Sequence, residues 1–142
     1  MKLVSACLCG VHCRYNGESE ERAEAVHMVR EGEAVLVCPE QLGGLPTPRS
    51  PAEIVGGDGH DVLTGRARVV SRDGRDVTEA FLAGAREVLR LAKETGAGEV
   101  LLKSRSPSCG VGVIKRDGRE TPGDGVTAAL LQENGIRVRC ID

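Results

Sequence analysis

The chain's 142 residues carry 19 lysines and arginines against 21 aspartates and glutamates, a formal net charge of −2, so nothing draws it to nucleic acid or an anionic membrane surface. One tyrosine, one phenylalanine and no tryptophan leave no aromatic platform for stacking nucleobases, and nucleic acid is not expected as a partner. No apolar run approaches the ~20 residues of a membrane span, and the apolar start "MKLVSACLCG" is too short for a secretory signal. The expectation is one cytoplasmic domain over residues 1–142.

In chain order, "KLVSACL" predicts a first strand, apolar enough to be buried on both faces. The loop "CGVHCRYNG" follows. "ESEERAEAVHMVR" predicts a helix with Ala23, Val26 and Val29 on one stripe. "AVLVC" is a second strand ending at Cys38. "PEQLGGLPTPRSPAE" holds four of the six prolines and is expected to form no regular structure. "IVGGDGHDVLTGRARVVS" predicts a small hairpin turning near Gly56 to Gly59.

Asp76 with Glu79 is spaced as a capping box for the strongest helix, "VTEAFLAGAREVLRLAKET". Its apolar stripe is Phe81, Ala85, Val88, Leu89 and Ala92, and Gly96 closes it. "EVLLK" is a third buried strand, and the loop "SRSPSCGVG" leads from it into a short hairpin at "GVIKRDGRE". Asp124 is expected to cap "GVTAALLQEN", Gly135 to end it, and "IRVRCI" to form the last strand. Four apolar strands alternating with three helices predict an α/β fold. Its sheet is mainly parallel with helices on both faces, a three-layer Rossmann-like arrangement with a small hairpin excursion.

That fold gives the cysteines a meaning. All strands of a parallel sheet end at one edge, where ligands bind. Cys7 and Cys38 end the first two strands and Cys109 lies in the loop after the third. Thiols far apart in sequence therefore converge on one crevice, and in a reducing compartment they serve metal ligation or thiol chemistry rather than disulfides. A shared metal or iron–sulfur site is the sharper reading for Cys7, Cys38 and Cys109. Cys140 continues a β pattern with Ile136 and Val138 and is expected in the core. Cys9 and Cys13 extend the first loop, where thiol exchange and metal binding both remain open. His12, His27 and His60 show no metal-site spacing and are expected in solvent.

Glu40 lies just beyond Cys38 and Pro39, so carboxylate and thiolate can face one cavity. Arg49 sits in a loop stiffened by Pro46, Pro48 and Pro51, suited to hold an anion or a carbonyl. The backbone N–H groups of "GDGVTAALL" are a generic anion site, with ordinary capping the plainer account.

Four stretches together, "VSACLCGVHCRYNG", "VCPEQLGGLPTPRSPAEI", "LLKSRSPSCGVG" and "GDGVTAALLQENGI", resemble the thiouracil desulfurase (TudS-like) family over nearly the whole chain. The resemblance implies a [4Fe–4S] cluster held by Cys7, Cys38 and Cys109, with the fourth iron open to the substrate's sulfur. It implies Glu40 and Ser106 as catalytic residues, beside Arg49 and Ser108 as candidates for binding substrate. The substrate class would be a small thiolated pyrimidine, hydrolysed by water that Glu40 deprotonates, without net electron transfer. Two departures stand out. Cys9 occupies an expected aliphatic position, and "VIKRDGRETPGDGV" is shorter than usual. The alternatives are a closed zinc site completed by Cys140 or Cys13, and a thiol oxidoreductase using Cys7, Cys9 or Cys13.

Overall fold

A computed structural model describes residues 1–142. Its centre is a sheet of four strands, β1 (Lys2–Ser5), β2 (Ala34–Val37), β5 (Glu99–Lys103) and β8 (Arg137–Ile141), in the order β2-β1-β5-β8. All three pairings are parallel, with Leu3 opposite both Val35 and Val100, and Leu102 opposite Cys140. The side-chain period of two sorts the residues of the central strands between two faces. Val4 and Leu101 pack with Ala25 and Met28 of helix α1 (Ala23–Arg30). Leu3, Val100 and Leu102 pack with Val88 and Ala92 of α4 (Thr78–Thr95) and Ala128 and Leu131 of α5 (Val126–Glu133). Helices thus cover both faces, as the alternating pattern predicts.

A third apolar cluster lies beside this sandwich. Two antiparallel hairpins build it, β3 (Ala52–Val55) with β4 (Arg68–Ser71) and β6 (Val113–Arg116) with β7 (Arg119–Pro122), together with α3 (Gly59–Leu63). Ile54, Val62, Val69 and Ile114 meet Phe81 and Ala85 there. One helix, α4, serves both cores: its first half faces the hairpins and its second half the sheet.

Several local expectations are corrected. The first strand stops at Ser5, and residues 6–9 wind into a 3-10 turn that Gly10 ends at φ 90°. The stripe of α1 is turned relative to the prediction, with Ala25 and Met28 buried and Ala23 exposed. The residues before it are not helical because Glu20 N donates to Cys7 O at 2.9 Å and Arg22 N to Leu8 O at 2.8 Å. The predicted turn at Gly56 to Gly59 instead opens α3. There Asp58 accepts from the His60 and Asp61 amides while the Asp61 carboxylate accepts from Asp58 N, a complete capping box. At α4 the Asp76 carboxylate accepts from Thr78 N at 2.9 Å, and Glu79 returns no bond. Asp124 does not cap α5. Its carboxylate accepts from Gly112 N at 2.8 Å and meets His60 Nε2 at 2.8 Å.

The proline-rich segment does contain one helical turn, α2 (Pro39–Leu42), with Pro39 in its first position. It lies hard against α4. A Cβ on Gly43 would stand 2.0 Å from Ala80 O, and one on Gly84 would stand 2.0 Å from Pro39 O. Two glycines are what let these backbones touch, and the contact fixes the height of α2 at the sheet edge.

Candidate active site

The three strand ends deliver what the topology promises. Cys7 lies in the 3-10 turn after β1, Cys38 is the residue before α2 at the end of β2, and Cys109 lies in the loop after β5. All three are buried, and all six cysteines are free thiols. Cys38 Sγ stands 3.6 Å from Glu40 Oε2. The Glu40 charge acts on the thiols of Cys7, Cys38 and Cys109 alike. One carboxylate therefore bears on three thiols that arrive on three different elements.

Glu40 is itself held. Arg49 Nη2 lies 3.2 Å from Glu40 Oε2 and 3.1 Å from the Cys13 carbonyl. Its other terminal nitrogen donates to Pro46 O and Thr47 Oγ1, each at 3.3 Å. The proline-rich loop thus presents Arg49 as a fork held at both terminal nitrogens, and its pair with Glu40 is largely enclosed by protein.

Cys13 is the residue that sequence reasoning left least defined. It is buried in the apolar cluster that also holds Cys7 and Cys38. Hydrogen bonding with the Cys13 thiol is the main influence pulling the Cys7 and Cys38 thiols below their ordinary range, against burial and the Glu40 charge. The same influence, with burial, pushes the Cys13 thiol upward. Metal ligands must be thiolates, and Cys7 and Cys38 are disposed to be so. Burial, followed by the Glu40 charge, drives the Cys109 thiol well above its usual range, while hydrogen bonds from Ser106 and Ser108 favour its thiolate.

The two serines have different settings. Ser106 Oγ accepts from Cys109 N at 2.8 Å, which shapes the turn carrying the thiol, and its side chain is half-buried at the crevice. Ser108 is enclosed, with its hydroxyl 2.9 Å from Thr127 Oγ1. Cys140 is half-buried rather than in the core, its sulfur 3.4 Å from the Cys109 carbonyl. Cys9 is half-exposed with Glu21 near its thiol. His12 and His27 are exposed, but His60 is not free in solvent: it bridges Glu133 at 2.7 Å and Asp124 at 2.8 Å.

Lys103 and Arg14 were not foreseen. Both lend positive charge to the Cys7 thiol, and Glu20 joins them at 3.2 Å and 2.9 Å. The strand-end rule that found the cysteines also covers Lys103, the last residue of β5. A set of buried thiols at the strand ends, with cationic side chains close by, suits an iron–sulfur cluster better than a hard cation, which prefers oxygen ligands.

No helix is long and apolar enough to cross a membrane. Over 141 residues the chain is 51% identical to an uncharacterised protein, YbbK, of Bacillus subtilis strain 168, a match spanning 97% of this chain and 93% of that one. A solved structure described as the [4Fe–4S]-dependent thiouracil desulfidase TudS is similar at a TM-score of 0.85 and 41% identity, over 97% of this chain and 88% of the other. Residues 3–142 match the family described as 2-thiouracil desulfurase, and the chain belongs to that family.

Proposed function

We propose that this protein is a [4Fe–4S]-dependent desulfurase of small thiolated pyrimidines, working in the cytoplasm, with the cluster held by Cys7, Cys38 and Cys109. The observation that carries the reading is three buried thiols at separate strand ends, one of them 3.6 Å from the Glu40 carboxylate, whose charge bears on all three. When bound, the cluster supplies a Lewis-acidic iron with affinity for soft sulfur.

The chain's own groups do the rest. Arg49 fixes Glu40 Oε2, leaving the carboxylate directed at the crevice. Glu40 takes a proton from water as its oxygen attacks the carbon bearing the substrate's sulfur. The C–O bond forms, the C–S bond breaks, and thiouracil plus water becomes uracil plus hydrogen sulfide, with no change in oxidation state. Ser106, half-exposed at the same rim, binds the substrate or passes a proton.

The test is anaerobic reconstitution with iron and sulfide, followed by measurement of sulfide released from 2-thiouracil. A brown protein that turns over, with a Glu40→Gln variant that keeps its colour and loses turnover, is the expected outcome. A colourless protein holding stoichiometric zinc would overturn the reading, because a closed tetrahedral zinc site leaves no position for substrate.

A further inference from the structure

Arg49 compensates the charge of Glu40, but three thiolate ligands would bring further negative charge to the same crevice. Lys103 ends β5 at that sheet edge, and its backbone N–H donates to Ser5 Oγ at 2.9 Å, two residues before Cys7. Its Nζ lies 3.2 Å from Glu20 Oε2, and Glu20 N donates to Cys7 O at 2.9 Å. Lys103 is thus tied to the Cys7 turn by two separate routes. Its side chain is only 17% exposed, and enclosing an ammonium is costly unless an anion compensates it. The anion it touches is shared. Glu20 also meets Arg14 at 2.9 Å and Arg22 at 3.5 Å, so one carboxylate serves three cations. The Asp142 carboxylate nearby is taken by Arg105 at 3.1 Å. The three protons of the ammonium have as acceptors Glu20 Oε2 and, at 3.4 Å each, the Ser104 carbonyl and hydroxyl. None is left for a substrate atom, so what Lys103 offers the crevice is charge.

We propose that Lys103 is a positioning residue of the desulfuration site: held by Glu20 and Ser104, its fixed charge compensates the thiolates and the sulfur that departs from substrate. The proposal rests on the cluster assignment made under Proposed function. As the C–S bond breaks, its electron pair leaves with sulfur. Sulfur carries that negative charge until protons from the attacking water, passed through Glu40 and solvent, complete hydrogen sulfide. A cation held in an enclosed place lowers the energy of the charge as it develops. The same field raises the reduction potential of the cluster, since reduction adds negative charge and net charge is one of the terms that set the potential. Glu20 acts in the opposite sense and moderates the field.

The experiment uses reconstituted wild type, K103R, K103M and E20Q, with the midpoint potential of the cluster followed by EPR during reductive titration. K103M should make reduction less favourable by about tenfold or more, a fall of about 59 mV for a one-electron couple. K103R keeps the charge and should match wild type. E20Q removes the moderating anion and should shift the potential upward. With 2-thiouracil, K103M should lower kcat on the order of tenfold, less than the loss of a donor in direct contact, and leave KM unchanged because no substrate contact is lost. An unmoved potential in K103M overturns the proposal, and so does a fall in K103R as large as that in K103M. A potential in E20Q that stays level or falls also overturns it, because a purely structural tie between loop and sheet gives no shift of opposite sign. E20Q keeps the test decisive if K103M folds poorly. Failure of wild type to take up any iron–sulfur cluster is a separate result, which removes the desulfurase reading and the role of Lys103 with it.

Discussion

Arg49 Nη2 stands 3.2 Å from Glu40 Oε2, with 10% and 17% of the two side chains exposed. The pair joins the loop after α2 to α2 itself, and its enclosure means that solvent does little to screen it. Arg49→Ala should leave cluster content unchanged and lower kcat on the order of a hundredfold, because a carboxylate displaced by an ångström loses its aim. Arg49→Lys should restore only part of the rate. A lysine supplies the charge but not the fork that also grips the Cys13 and Pro46 carbonyls. An iron-to-protein ratio measured beside kcat checks both statements.

Ser108 and Thr127 form a hydroxyl pair with 1% and 0% exposure. Removing one partner takes from the other the enclosed hydrogen bond between them, at a cost of about 1–3 kcal/mol. Ser108→Ala and Thr127→Val should each lower the urea midpoint. The double variant should be more stable than the sum of the single losses implies, which a double-mutant cycle measures. Additive losses would show that the pair is not coupled.

Gly84 and Gly43 define a backbone contact that a methyl group cannot enter. Gly84→Ala would drive its Cβ toward the Pro39 carbonyl, whose backbone cannot rotate away. A loss of about 1–3 kcal/mol is expected from overpacking. The activity per folded molecule should fall as well, because α2 carries Glu40 and follows Cys38. Denaturant unfolding and kcat separate the two effects.

His60 offers a pH signature. Its hydrogen bond to Glu133, then that to Asp124, raise its pKa above the ordinary histidine value of 6.5, against the effect of burial. A pKa raised on folding means that the native state binds the proton more tightly than the unfolded chain. The stabilisation is complete below about 6.5 and disappears as pH climbs through the raised value. The Tm gap between wild type and His60→Gln should be widest near pH 6 and close toward alkaline pH, a window set by the unfolded value. The gap should be small, since the side chain is partly open to solvent. A gap that grows with pH would reverse the assignment.

The four-stranded sheet was readable because its two central strands, β1 and β5, are apolar runs buried on two faces, and the order of succession of the strands fixed which ends meet. That carried Cys7, Cys38 and Cys109 to one edge without any local spacing between them. What escaped depends on contacts across the chain. Cys13 is turned inward because the loop around it is tied to a segment far downstream, through Arg49 N to Tyr15 O at 2.7 Å and Arg49 Nη2 to the Cys13 carbonyl. Helix α3 was hidden because five residues opened by "GGDG" give no periodicity, only the side-chain cap of Asp58. Asp124 was assigned as a helix cap on local rules, and a histidine and an amide from elsewhere claimed it first.

The strand order has a mechanical side. Cys7 and Cys109 hang from β1 and β5, each flanked by neighbours on both sides, whereas Cys38 and Glu40 hang from β2, which is paired only with β1. Border strands part from a sheet at far lower cost than interior ones. Two of the three proposed ligands therefore hang from inner strands, while the third, together with the proposed base, hangs from the border strand.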